Sequence, residues 1–290
     1  MKKFLLILLA VCLTLVFVSC GEGNEKPDDG TGNEKVSDTE KGTDTEKGTD
    51  TEKATDTENV TDTDEPAVPD DDIKGEGVMT YAEYAAAEID APVVIEAYVQ
   101  AKQSWWENKA TLYTQDKDGA YFIYNCVCSE EDYAKLVPGT KIKVTGFKAE
   151  WSGEVELAEG ATFEIEDGSY IAPAFDATEL LGTDDLIKHQ NEFVSFKGMT
   201  VESIKDADGN EAAFLYNWDG SGTDGNDLYF NVSYNGQTYN FTVESYLCDN
   251  TTAVYAAVKD LKVGDKIDME GFLYWYNGVN PHITSVTAAQ

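Results

Sequence analysis

The chain has 290 residues and a net charge of −34, and all 21 of its basic residues are Lys. Length allows one to three domains. Without Arg it lacks the rigid fork that most often reads phosphate and carboxylate, and so acidic a surface disfavours nucleic acid, whose binding rests on cations that displace counterions. Only two His occur, His189 and His282, both outside any catalytic motif. Acid–base chemistry near neutral pH most often uses His, so the composition points away from an enzyme and toward two ordinary surface or edge histidines.

Residues 1–20 read as a targeting segment. Lys2 and Lys3 give a positive start, Phe4 to Val18 is an apolar run of signal-peptide length, and Phe17-Val18-Ser19-Cys20-Gly21 follows. This end resembles the lipobox of bacterial lipoproteins, with Phe17 where Leu is usual. The resemblance implies that Cys20 is lipidated and that the chain is held at the extracellular face of a cell membrane. Residues 21–75 read as an acidic disordered stalk. Asp44-Thr45-Glu46-Lys47-Gly48-Thr49 recurs from Asp50 and decays by Asp56 and Asp62, and aromatics are absent. Such a segment cannot bury enough apolar surface to offset chain entropy. As a flexible coil of about 55 residues it spans roughly 40 Å.

Beyond it one segment occurs twice. Leu136-Val137-Pro138-Gly139-Thr140-Lys141-Ile142-Lys143-Val144-Thr145-Gly146-Phe147 returns without a gap as Leu261-Lys262-Val263-Gly264-Asp265-Lys266-Ile267-Asp268-Met269-Glu270-Gly271-Phe272, and Gly153 answers Gly278. Each copy reads as a turn, an alternating strand and a glycine where the strand bends.

In the first copy, residues 76–172, a short helix over 81–89 precedes a strand over 93–102. Strands over 110–115 and 120–127 follow, joined by the hairpin turn Asp116-Lys117-Asp118-Gly119. Ser129 opens a helix that runs to Leu136, residues 141–149 form the fourth strand, and Glu154 begins the fifth. The second copy, residues 173–290, starts from a connection with a helix over 183–188. Strands are expected over 193–204, 228–234, 237–243, 266–274 and 282–286, with Asn235-Gly236 as a hairpin turn and a helix over 252–261. Its loop between strands one and two is expanded to 206–227 and carries an extra strand over 212–216. Three strands, a helix and two strands is the order of the five-stranded Greek-key OB barrel, and Pro-Gly-Thr-Lys-Ile-Lys-Val-Thr-Gly resembles the entry to its fourth strand. The expected fold is all-β with short helices, in two tandem OB-like barrels. The whole resembles OB-type modules of secreted lipoproteins of Gram-positive, clostridial-type bacteria.

OB barrels bind on one face and in the loops between strands one and two and between strands four and five. All five Trp fall there: Trp105, Trp106, Trp151, Trp218 and Trp275, the last flanked by Tyr274 and Tyr276. Exposed indoles stack on sugars or bases, and indoles in loops also cap barrel ends or pack domains together. The preferred expectation is therefore a cell-surface, lipid-anchored, non-catalytic binding or adaptor protein for saccharide or cell-wall glycan. The alternative is a protein-interaction or structural module of the cell envelope, and the third reading is single-stranded nucleic-acid binding, which the charge opposes. No cofactor is expected. Asp219, Asp224 and Asp227 are weak calcium candidates, because the loop matches only the first half of an EF-hand and has Leu228 where a bidentate Glu is needed. Cys126, Cys128 and Cys248 read as small buried hydrophobes, with Cys248 and one of the other two as the pair should a disulfide form.

Overall fold

Thr80 starts the first helix. Its hydroxyl accepts from Glu83 N at 3.2 Å while the Glu83 carboxylate accepts from Thr80 N at 2.8 Å, a reciprocal box that satisfies two donors with no intrahelical partner. The computed structural model describes residues 74–289; Cys20, the signal segment and the stalk up to residue 73 lie outside the described residues. Lys74, placed in the stalk by the sequence, already packs on the first barrel, its ammonium 2.7 Å from the buried Asp116 carboxylate.

The helix α1 (Tyr81–Ala86) leads into β1 (Pro92–Lys102), β2 (Lys109–Gln115), β3 (Ala120–Val127), α2 (Glu130–Lys135), β4 (Thr140–Trp151), β5 (Glu154–Leu157) and β6 (Thr162–Ser169). β1 pairs antiparallel with β2 and β4, β2 with β3, and β4 with β5; the parallel pair β3–β5 closes the ring. That is the closure of an OB barrel. The fifth strand expected from Glu154 is broken into β5 and β6, and β6 runs along the first half of β4.

The second barrel repeats the circuit. β7 (Phe175–Asp176) lies parallel to β8 (Phe193–Glu202), which is followed by β9 (Ile204–Lys205), β10 (Glu211–Ala212), β11 (Leu215–Tyr216), β12 (Leu228–Tyr234), β13 (Gln237–Val243), α3 (Ala253–Lys259), β14 (Lys266–Phe272) and β15 (His282–Ala288). β8 pairs with β12 and β14, β12 with β13, β14 with β15, and Thr242 meets His282 in the parallel closure. The chain therefore carries two OB-like barrels in tandem. The expected helix over 183–188 is replaced by single 3₁₀ turns at Thr178–Leu180 and Leu186–His189. The extra strand over 212–216 is two short pieces, one pairing with β9 and the other with β12.

Each barrel has its own core. Ile95, Leu112, Ile123, Ile142, Val144 and Leu157 fill the first, and Phe196, Phe230, Phe241, Tyr255 and Ile283 the second. A third cluster of Tyr113, Phe122 and Phe272 joins them.

Gly146 and Gly271, the strand glycines shared by the two copies, serve close approach more than bending. A Cβ on Gly271 would lie 2.3 Å from the His282 carbonyl oxygen, at a register shift between β14 and β15; one on Gly146 would lie 2.9 Å from Ala161 Cβ. Gly271→Ala is expected to cost about 1–3 kcal/mol by overpacking against backbone, and Gly146→Ala less, because its neighbour is a side chain. Denaturant midpoints of the two variants check this, and equal midpoints would contradict it.

Candidate ligand cleft

The two barrels face each other across a joint made of polar groups and stacked rings. Glu154 in β5 is fully buried there. Its Oε2 accepts from Trp275 N at 2.8 Å and from Gln190 Nε2 at 3.2 Å. Asn191 Nδ2 donates to Val155 O at 3.0 Å, Asn277 N to Ser152 O at 2.7 Å, and Phe193 N to Gln115 Oε1 at 2.8 Å. Glu154 Oε1 and Asn191 Oδ1 have no hydrogen-bond partner. Burial pushes the Glu154 carboxyl up to about 8, so at neutral pH it carries a proton.

Above this joint lies a cleft of about 910 Å³. The first barrel contributes Phe122 and Tyr124 from β3, Trp151 at the end of β4, Glu156 from β5 and Gln103 from the loop before β2. The second contributes Tyr229 from β12, Asn240 and Thr242 from β13, Glu244 just after it, and Trp218 and Asp227 from the expanded loop. Tyr274, Tyr276, Asn280 and His282 complete the wall from the β14–β15 connection and the start of β15. These are the strand-two, strand-three and loop positions that OB barrels use for ligands, so the ligand faces of both barrels open on one space. Trp151 and Tyr276 meet across it at 5.1 Å between ring centres, and Phe122 and Tyr274 at 5.2 Å.

The electrostatics are one-sided. Glu156 is 8% exposed, and burial pushes its carboxyl up to about 7. Glu244 is 9% exposed and is also raised to about 7 by burial, against two backbone donors, Tyr246 N at 3.1 Å and Leu247 N at 2.9 Å. Asp227 accepts from the Ser245 amide and hydroxyl. No Lys lines the cleft. His282, expected at the surface, is buried: the Tyr113 hydroxyl lies 2.6 Å from its Nδ1, its ring stacks on Tyr274 at 4.3 Å, and burial lowers it to about 3. It is neutral at any physiological pH. His189 stacks on Phe175 at 4.1 Å, away from the cleft.

The structure divides the seven aromatic candidates. Trp151, Trp218, Tyr274 and Tyr276 line the cleft. Trp105 is half-buried, with its indole N–H donating to Cys128 O at 3.0 Å, and Trp106 is 69% exposed beyond the cleft. Trp275 packs against the second core and touches the joint through its backbone. Sequence reasoning missed Glu156 and Glu244, which no motif marks.

The acidic loop residues have separate partners. The Asp219 carboxylate accepts from Ser221 N, Asp224 pairs with Lys259 and Asn250, and Asp227 is held by Ser245. Among the described residues no group of three or more His, Cys, Asp or Glu is placed to hold a metal. Cys126 and Cys128 belong to the first core and Cys248 to the second, and all three are free thiols. Burial raises them to about 12, 11 and 12 respectively.

No protein-family model and no curated protein matches the chain. Among solved structures, a murine DNA-binding protein bound to double-stranded DNA matches at 11% identity and TM-score 0.33, over 69% of this chain and 96% of that one. The HINa domain of Ifi202 with a 20-base-pair double-stranded DNA matches at 13% and 0.30, over 70% and 97%. The HINb domain of p204 matches at 10% and 0.30, over 67% and 94%. The likeness is one of fold. Some of these proteins were solved with double-stranded DNA, and set beside them two expectations are withdrawn. Saccharide is no longer the preferred ligand class, and nucleic acid is no longer set aside as a partner. The barrels themselves are acidic: residues 76–290 hold 36 of the 55 Asp and Glu against 13 of the 21 Lys, a net charge of −23.

Proposed function

We propose that this chain is a non-catalytic binding module whose two OB barrels share one ligand cleft, and that the occupant is a segment of a partner protein. The observation that carries this reading is the convergence of both barrels' ligand faces on one aromatic-walled space of about 910 Å³, within the usual range for a specific site. Support for a binding role comes from the Thr242 hydroxyl and the imidazole of the cleft, which are already engaged: Thr242 Oγ1 donates to Asn280 Oδ1 at 3.0 Å, and His282 is held by Tyr113. The lipobox-like sequence at Cys20 supports a lipid-anchored position at an outer membrane face, with the acidic repeats as a spacer.

A second reading is nucleic-acid binding. OB barrels take oligonucleotides across strands two and three, and β3 here presents Phe122 and Tyr124 to the cleft, where bases would stack.

The test is a titration of the whole chain with peptides and short oligonucleotides, read by Trp emission, for the wild type and for Tyr274→Ala, Trp151→Ala and Trp106→Ala. A saturable change with one class, weakened by at least about ten-fold in the two cleft variants and kept in Trp106→Ala, is expected. Loss of binding only in Trp106→Ala, or no change with any ligand, would overturn the reading.

A further inference from the structure

The cleft holds a largely buried carboxyl with no counterion among the described residues. Glu156 is 8% exposed, lines the cleft from β5, and has no hydrogen bond or ion pair among the described residues. A carboxylate taken from water without a partner is costly, which is why burial raises this one to about 7. Glu244 across the cleft is as buried but held by two backbone amides, so its position is fixed while its charge is not neutralised by any cation.

Among the described residues no cation is placed against Glu156. The chain has no Arg, and no Lys lines the cleft. His282 is the only basic side chain there, and it is buried, neutral and occupied by Tyr113. A counterion has to come from outside the described residues.

The walls suit the same charge. The faces of Trp and Tyr rings attract cations, more strongly where water is excluded. Trp151 and Tyr276, packed on each other at 5.1 Å, and Tyr274, stacked on His282, line the same cleft as Glu156. An ammonium or guanidinium head would find ring faces on its sides and a carboxylate at its end. The volume of about 910 Å³ is far more than such a head needs, which leaves room for the chain that carries it.

Resting on the binding-module reading above, we infer that the cleft takes an organic cation, the ammonium or guanidinium of a Lys or Arg side chain on an extended partner peptide. Glu156 is its counterion, Glu244 the second acidic wall, and Trp151, Tyr274 and Tyr276 its aromatic sides.

The test uses the whole chain at pH 8, low salt, and three capped pentapeptides that differ only at the central residue: Lys, Nε-acetyl-Lys and norleucine. Calorimetry is expected to show saturable binding of the Lys peptide and at least about ten-fold weaker binding of the other two. Glu156→Gln, which keeps the shape and removes the charge, is expected to weaken the Lys peptide by a similar factor and to leave the neutral peptides unchanged. Glu244→Gln is a second charge-removing variant that keeps the acceptor for its backbone donors, and it is expected to weaken the Lys peptide in the same direction. Equal affinity for all three peptides, or a Glu156→Gln variant as tight as the wild type, would overturn the inference. If a thymidine oligonucleotide or a neutral peptide binds as tightly as the Lys peptide or more so, and Tyr274→Ala abolishes it, the cleft stands as the site and the cation inference alone fails. If spermidine binds and the Lys peptide does not, the cation chemistry holds but the peptide source falls. Silence from every ligand would remove both readings.

Discussion

Thermal unfolding is expected at a higher temperature at pH 5 than at pH 8, and Glu154→Gln is expected to remove a large part of the difference. Burial raises Glu154 to about 8, and Glu156 and Glu244 to about 7, from an ordinary 4.5. Between pH 4.5 and 7 the folded chain keeps three protons that the unfolded chain releases, and up to pH 8 it keeps one. Stability therefore falls as pH rises through this window, by up to about 1.4 kcal/mol per pH unit per carboxyl. His282 acts in the opposite sense. Its folded value is lowered to about 3 from 6.5, so acidification below pH 6.5 protonates the unfolded chain alone and costs stability. Two or more carboxyls outweigh one imidazole down to about pH 4.5, which places the maximum near pH 5.

Glu154 is the buried centre of the effect. Its Oε2 takes the Trp275 amide, while its Oε1 and the Asn191 Oδ1 lack partners when the carboxyl is ionised. Gln at 154 keeps an acceptor for Trp275, adds a donor and has no charge to bury. The variant is expected to gain on the order of 2–4 kcal/mol at pH 8 and little at pH 5. At about 2–4 °C per kcal/mol for a chain of this size, calorimetric scans at both pH values resolve the difference. A Glu154→Gln variant less stable than the wild type at pH 8 would show that the ionised carboxylate holds the joint.

Tyr113→Ala is expected to give the largest loss among single changes at the barrel joint, about 3–5 kcal/mol. Tyr113 in β2 is 1% exposed. Its ring centre lies 5.1 Å from that of Phe122 in its own barrel and 4.6 Å from that of Phe272 in the other. Gln103 Nε2 donates to its hydroxyl oxygen at 3.3 Å, and the hydroxyl pairs with His282 Nδ1 at 2.6 Å. Removing the ring opens a cavity between two cores and leaves a buried imidazole nitrogen unpaired. Tyr113→Phe separates the two effects: it keeps the ring and is expected to cost only about 1–3 kcal/mol, the cost of one orphaned buried acceptor. Denaturant unfolding measures both. A loss under about 1 kcal/mol for Tyr113→Ala would show that the barrels do not depend on this contact.

The barrels were legible because the repeat carries them. The hairpin signals at Asp116–Gly119 and Asn235-Gly236 fix two strand pairs in register, and the matching runs at 136–147 and 261–272 fix the fourth strands. What the repeat hides is where the copies differ. Lys148 stands where the second copy has the buried Leu273. Lys148 is also buried, because its ammonium donates to the carbonyls of Tyr84, Ala85 and Ala87 at 2.8–3.0 Å and ends α1. No local pattern announces a lysine that caps a helix more than sixty residues away in sequence. His282 and Glu156 escaped for the same reason: each is polar and near a strand end, and each is buried only because the other barrel lies against it. Of the tryptophans, Trp105 turns inward to the Cys128 carbonyl while Trp151, at the end of β4, turns to the cleft. That choice belongs to tertiary packing.

The five tryptophans also supply the most direct test. The chain labelled with 5-fluorotryptophan gives one ¹⁹F resonance per indole, assigned by single Trp→Phe variants, and is titrated with the Lys pentapeptide and the thymidine oligonucleotide. Shifts confined to Trp151 and Trp218, with Trp105, Trp106 and Trp275 unmoved, are the expected result for a ligand seated where the two barrels meet. A response centred on Trp106, or five resonances indifferent to every ligand, would contradict a shared cleft as the seat of function.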